Sequence, residues 1–250
     1  MEKPKKQRKS KKVIDNKPTA QIKNYYLDEE VHAFQDKAHN PNYEVHKRQV
    51  PFRMAVIGGS GSGKTNVVIN IIRVFNDTFK HIYIYTRCKD EALYEYLEAK
   101  IDKQFLTIKE GLYDFNKIDP NKEFSEKENV LIIFDDLCLE KDQSKIAEMF
   151  IRGRKLGVSL IYISQAYYQI PKVIRLQCQY IILKKISSTR DLNMILKDAS
   201  LGVDGKELNE IYKYCIKGDI TAFLLIDLIV SSEQSFRKCF DEIIDVNNFV

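Results

Sequence analysis

Long apolar runs are missing from this 250-residue sequence. The longest, Ala222 to Val230, is cut by Asp227 and falls well short of the ~18 residues that a membrane-spanning helix needs. No apolar h-region follows the basic start, so neither a secretory signal nor a membrane partner is expected. Paired cysteines are missing as well. Cys88, Cys138, Cys178, Cys215 and Cys239 form no C-x-x-C, are odd in number and lie mostly in apolar runs, where a thiol acts as a small hydrophobe. A reducing compartment follows. Glycine (10) and proline (6) are sparse and scattered, which excludes collagen-like and low-complexity chains. Three of the four histidines, His32, His39 and His46, are spaced by seven, but no Cys joins them and no H-x-x-x-H occurs. That pattern favours a surface segment over a zinc site.

What is present is a folding composition, 44% hydrophobic and 30% charged. A chain of this length buries roughly two thirds to three quarters of its unfolded surface. The charge is uneven. Residues 1–17 carry eight basic side chains (Lys3, Lys5, Lys6, Arg8, Lys9, Lys11, Lys12, Lys17) against Glu2 and Asp15, a net +6. The rest holds 32 basic against 33 acidic residues, so the formal +5 describes the tail and not a basic face on the body. Like charges packed so densely repel one another and predict a disordered arm for a polyanion, an import signal or a solubilising end. The expected division is a basic tail at 1–23, an extension at 24–50 and a folded domain at 51–250.

From Pro51 onward, apolar strands and amphipathic helices alternate. Strands are predicted at 52–57, 81–86, 104–109, 130–134, 158–163, 180–183 and 220–228, and helices at 66–75, 89–100, 143–155, 188–217 and 233–245. Residues 111–129 read as a loop. Val130-Leu-Ile-Ile-Phe134 has no alternation, which suits a central parallel strand covered on both faces. The order predicts an α/β domain with a mainly parallel sheet flanked by helices.

Chemistry concentrates at four places. Gly58, Gly59, Ser60, Gly61, Ser62, Gly63, Lys64 and Thr65 fit G-x-x-x-x-G-K-[ST] between an apolar strand and an amphipathic helix. Glycines let the backbone curl so that successive N–H groups face phosphate oxygens at a helix start. Lys64 is expected to neutralise the β- and γ-phosphates, and Thr65 to offer its hydroxyl to Mg²⁺. Asp135, at the tip of the 130–134 strand, is expected to hold the metal's water shell, and Asp136 to accept a proton from the attacking water. The plainer use of Asp136 is capping the turn. Gln165 follows the 158–163 strand and is expected at the same sheet edge, positioned to sense the γ-phosphate or the water. An arginine could neutralise charge on the transferring phosphoryl group, with Arg154 ahead of Arg152 and Arg175. Asn116-Lys-Ile-Asp119 spells the guanine motif N-K-x-D, but it precedes the 130–134 strand and has no D-x-x-G companion. ATP is therefore the expected nucleotide.

Gly58–Thr65, Ile132-Ile-Phe-Asp-Asp136, the run from Arg152 to Gln165 and Pro171–Arg175 before the next strand together resemble the viral genome-packaging ATPases of the FtsK/HerA superfamily, found in virophages and large nucleo-cytoplasmic DNA viruses. The likeness spans about residues 50–230. It implies a P-loop NTPase fold of RecA-like (ASCE) type, using ATP and Mg²⁺ to drive double-stranded DNA into a preformed capsid. It also implies a homo-oligomeric ring in which an arginine reaches the neighbouring nucleotide, a capsid or portal-vertex partner, and residence in the virus factory of the host cytoplasm or in the virion. Competing readings are a nucleoside or nucleotide kinase, another DNA-dependent ATPase such as a helicase, and a non-hydrolytic switch or scaffold.

Overall fold

The computed structural model describes residues 39–125, 128–218, 220–230 and 234–249. The basic tail, the first part of the 24–50 extension and His32 lie outside these residues. In chain order the elements are α1 (Tyr43–His46), β1 (Arg53–Ile57), α2 (Lys64–Val74), β2 (His81–Thr86), α3 (Ala92–Lys100), β3 (Leu106–Glu110), α4 (Pro120–Glu123), β4 (Val130–Asp135) and α5 (Ser144–Arg152). β5 (Val158–Ser164), α6 (Lys172–Arg175), β6 (Tyr180–Leu183), α7 (Arg190–Asp198), α8 (Gly205–Cys215), β7 (Leu224–Asp227), β8 (Phe236–Lys238) and β9 (Glu242–Ile243) follow.

β4 and β5 are buried at every position, as strands with neighbours on both edges and helices on both faces must be. The sheet order is β3-β2-β4-β5-β1-β6-β7-β8-β9, parallel from β3 through β6 and antiparallel from β6 to β9. Successive side chains go to opposite faces. Met54 and Val56 join Ile133, Ile163 and the α2 residues Val67, Val68 and Ile71 on one face, together with Tyr94 and Leu97 of α3. Ala55 and Ile57 join Phe134, Tyr162, Ile146 and Phe150 on the other, with Ile195 of α7 and Leu208 and Ile211 of α8. The register sets Thr86 beside Asp135, Asp135 beside Ile163, and Ile57 beside Ser164 and Leu183. The C-terminal ends of β2, β4, β5, β1 and β6 thus form one level rim. β5 lies between the glycine-loop strand β1 and the aspartate strand β4, so those two do not pair directly.

Three expectations change. The predicted helix at 188–217 is two helices, because Asp204 starts a new one: its carboxylate accepts from the backbone N–H of Lys206 (2.7 Å) and Glu207 (2.9 Å) while Glu207 accepts from Asp204 N–H (2.7 Å). The predicted helix at 233–245 is absent; β8 pairs with β7 and β9 with β8, so backbone donors there serve the sheet. The loop at 111–129 is anchored by buried Leu112, Phe115 and Phe124, with Phe115 packed edge-on against Phe134 at 5.0 Å. Asp119 of the N-K-x-D run caps α4, accepting from Asn121 N–H at 3.2 Å.

Candidate active site

The loop from Gly58 to Gly63 is shaped by backbone positions that side chains resist. Gly61 and Gly63 have φ of 70° and 85°, in the left-handed region where only glycine is unstrained. At Gly58 the restriction is space: a Cβ there would stand 2.5 Å from Ser62 Oγ and 2.6 Å from Lys184 Cβ. Gly58 N–H donates to Ser164 (3.2 Å) and Gly59 N–H to Lys185 (2.8 Å), tying the loop to the ends of both flanking strands. Lys64, first residue of α2, donates from Nζ to the carbonyls of Gly58 (2.8 Å) and Gly59 (3.1 Å). Burial lowers its pKa, while Asp135, Asp136 and Glu91 oppose that shift. Ser62 Oγ is buried in the loop with no hydrogen-bond partner among the described residues.

Asp135 ends β4 and is almost wholly buried. Burial pushes its pKa up to about 6; a hydrogen bond from Tyr94 pulls the other way, Glu91 and Asp136 add to the rise, and Lys64 opposes it. Tyr94 Oη donates to Asp135 Oδ2 at 2.6 Å, and Thr86 Oγ1 lies 3.5 Å from the same atom. Asp136 turns the chain out of the strand with φ of 54°. Gln165 Nε2 donates to Asp136 Oδ2 at 3.3 Å.

A cavity of about 380 Å³ brings Lys64, Thr65, Asp135, Asp136 and Gln165 together, with Arg87, Cys88 and Glu91 also lining it. A wider groove of about 650 Å³ opens across the loop, sharing Gly61 and lined by Ser62, Lys185, Lys213, Ile216, Lys217 and Ile220. The chemically versatile groups are in the smaller one. Among the described residues no cluster of three or more His, Cys, Asp or Glu could cage a metal. The donor set does fit Mg²⁺, which takes one or two protein oxygens and completes its shell with water and phosphate. Thr65 and Asp135 share the cavity, and Asp135 Oδ1 accepts no hydrogen bond among the described residues.

The expected arginines lie elsewhere. Arg154 is exposed in the 3₁₀ turn Gly153–Leu156 that precedes β5, at the opposite rim, where its charge acts on Arg53. Arg152 pairs with Glu148 at 2.6 Å. Arg175 pairs with Asp198 at 2.9 Å and lies over the Tyr167 ring. None of them lines the cavity of its own chain. Sequence reasoning missed Thr86, Arg87, Glu91 and Tyr94. For Thr86 and Arg87 the signal was the polar end of the 81–86 strand, uninterpretable until β2 is known to neighbour β4; Glu91 and Tyr94 sit in the stretch read as a charged helix and gave none.

The sequence profile of the family described as Poxvirus A32 protein matches residues 42–248. The chain is similar to the DNA packaging protein OPG160 of Variola virus, at 26% identity over 209 residues, covering 77% of this chain and 75% of that protein. Its likeness to the DNA packaging protein OPG160 of Vaccinia virus (strain Copenhagen) is 27% over 168 residues, covering 63% and 61%. Among solved structures, the genome packaging NTPase B204 of Sulfolobus turreted icosahedral virus 2 in complex with sulfate superposes with a TM-score of 0.55 at 18% identity, over 79% of this chain and 100% of that one. The same NTPase in complex with ATP-gammaS gives 0.50 at 16%, over 71% and 93%. At such identity these superpositions speak for the fold. A profile match that runs from residue 42 to residue 248 shows that the chain belongs to the Poxvirus A32 protein family.

Proposed function

We propose that this chain is an ATP-hydrolysing motor that moves double-stranded DNA into a viral capsid. The observation that carries the reading is the meeting of Lys64, Thr65, Asp135, Asp136 and Gln165 in one cavity at the end of a parallel sheet. The family and the names of its relatives, DNA packaging proteins and a genome packaging NTPase, supply the direction of the work.

The backbone N–H groups of Ser60, Gly61, Gly63, Lys64 and Thr65 would cradle the phosphates, with Lys64 leaving the carbonyls of Gly58 and Gly59 for phosphate oxygens. Thr65 and Asp135 would hold Mg²⁺, which when bound neutralises charge on the β- and γ-phosphates. Asp136 takes the proton of the attacking water, and Gln165, already hydrogen-bonded to Asp136, orients that water. The nucleoside would lie in the wider groove across the loop, against Ile216 and Ile220. Asp119 of the N-K-x-D run is used in capping α4 and does not line the groove, which supports ATP over GTP as the nucleotide.

Arg154 lies at the rim opposite the cavity, so a role on the phosphoryl group would be in trans, at the site of the next subunit of a homo-oligomeric ring. Residues 51–250 form the ATPase domain, and the basic tail adds salt-dependent affinity for the DNA backbone. The motor works in the infected cell or virion, against a capsid or portal-vertex protein.

Steady-state ATP turnover with and without linear duplex DNA tests this, together with particle mass in an ATP analogue. DNA should raise turnover, and the analogue should raise the mass to a multiple of 29.2 kDa. Turnover indifferent to duplex but raised by a nucleoside would overturn the reading and establish a kinase.

A further inference from the structure

In the turn and helix that follow β2, the group in closest contact with the site is a phenol. Tyr94 comes from α3 and is wholly buried. A buried tyrosine hydroxyl needs an acceptor, and this one donates to Asp135 Oδ2 at 2.6 Å, a charge-assisted distance. Thr86, paired with Asp135 in the β2–β4 register, reaches the same oxygen at 3.5 Å. Its single proton is shared, since Thr86 Oγ1 also donates to Cys88 O at 3.2 Å. Tyr94 is therefore the steadier donor.

Both hydroxyls act on Oδ2 and leave Oδ1 without a protein partner among the described residues. The terminal torsion of an aspartate is soft, with a broad two-fold preference. A carboxylate without an anchor at the end of a strand would swing and offer either oxygen. We propose that Tyr94 is a positioning residue of the metal site: its hydroxyl holds Asp135 so that Oδ1 faces the cavity and the water shell of a divalent cation there. This rests on the reading of Asp135 as the metal-holding carboxylate. Outer-shell donors of this kind typically change metal affinity by about 10- to 100-fold when removed. Phenylalanine would fill the same volume, so packing alone does not account for the hydroxyl.

The test uses the full chain and Mn²⁺ as probe. Mn²⁺ is titrated in the presence of saturating ADP, with free Mn²⁺ read by electron paramagnetic resonance, and ADP binding is measured separately in chelator. Tyr94→Phe should weaken Mn²⁺ by about tenfold while metal-free ADP affinity shifts by less than about twofold. Thr86→Val, which keeps its shape, should weaken Mn²⁺ by a smaller factor, about two- to threefold. Unchanged Mn²⁺ affinity in Tyr94→Phe, with or without a lower melting temperature, overturns the assignment and leaves Tyr94 a structural residue. If Tyr94→Phe does not fold, Thr86→Val decides, and its binding Mn²⁺ like the parent overturns the assignment. Asp135→Asn separates the two levels of failure. If it binds Mn²⁺ as the parent does, or if the parent binds none, the reading of the site itself falls; if it loses Mn²⁺ while Tyr94→Phe keeps it, the positioning role alone falls.

Discussion

The two rims of the sheet carry charged side chains in opposite conditions. At the C-terminal rim, Lys64, Asp135, Asp136 and Gln165 surround an open cavity, and Asp135 Oδ1 and Ser62 Oγ have no partner among the described residues. At the other rim, Arg48 is almost wholly buried, donating to the carbonyls of His46 (2.7 Å) and Phe240 (3.1 Å) and lying 5.5 Å from the Tyr180 ring. Burial and the neighbouring Arg237 depress its pKa, while Asp227 and Asp241 resist. His46 stacks on Phe75 at 3.8 Å and takes the Arg48 backbone N–H on Nδ1 at 3.0 Å. One rim leaves its polar atoms available for a ligand; the other uses them to fasten residues 39–50 to the domain. The lesson is that burial of charge alone does not mark a function. An unfilled hydrogen bond does not mark one either, since Arg48 Nε and Arg53 Nε at the second rim are buried with no partner among the described residues; what sets the first rim apart is that its charged groups line a cavity.

That contrast breaks most visibly with Lys64→Ala. Phosphate release should fall by about two orders of magnitude or more, with the melting temperature nearly unchanged. Arg48→Met should do the reverse. It leaves Asp227 buried beside fewer positive charges and should lower stability by about 3 kcal/mol in urea unfolding, with turnover per folded molecule preserved. Acid sharpens the comparison further. Burial first, then Arg48, lowers the His46 pKa from 6.5 to about 4. Its folded pKa lies below the unfolded one, so this stability is complete above pH 6.5 and is lost as pH falls toward 4. The loss should reach on the order of 2 kcal/mol by about pH 4.5 and be absent from the difference curve of His46→Phe. The smallest effect belongs to an exposed pair at neither rim's centre: Glu148→Ala leaves Arg152 only its hydrogen bond to Asn121 and should shift stability by less than about 0.5 kcal/mol, with turnover unchanged.

The strands and the glycine loop were legible because their signals are local. A glycine loop between a strand and a helix is written in consecutive residues, Val130–Phe134 has no polar position to blur it, and Val158–Ile163 is interrupted only by Ser159 and the amphipathic Tyr162. The convergence of Asp135, Asp136 and Gln165 on Lys64 followed from parallel strands sharing a rim. What escaped was set by pairing and packing. Phe236, Phe240 and Ile244 have helix-like spacing, yet antiparallel pairing with β7, whose Ile226 stands opposite Phe236, decides that segment, and periodicity alone does not read pairing. Tyr94 sits in a stretch that reads as an ordinary charged helix, and its partner Asp135 is 41 positions away. The break at Asp204, by contrast, was written locally as Asp204-x-x-Glu207 before an apolar face, and a periodicity reading passes over it.

The left-handed backbone of Asp136 bears on how its chemistry is to be interrogated. Asparagine tolerates φ near 54° better than other residues with a side chain, whereas alanine there adds roughly 1 kcal/mol of conformational penalty. An amide in this position keeps the bend and its outline while discarding basicity. A slow Asp136→Asn enzyme would thus report on proton transfer, and an unimpaired one would reduce the residue to a hinge in the chain.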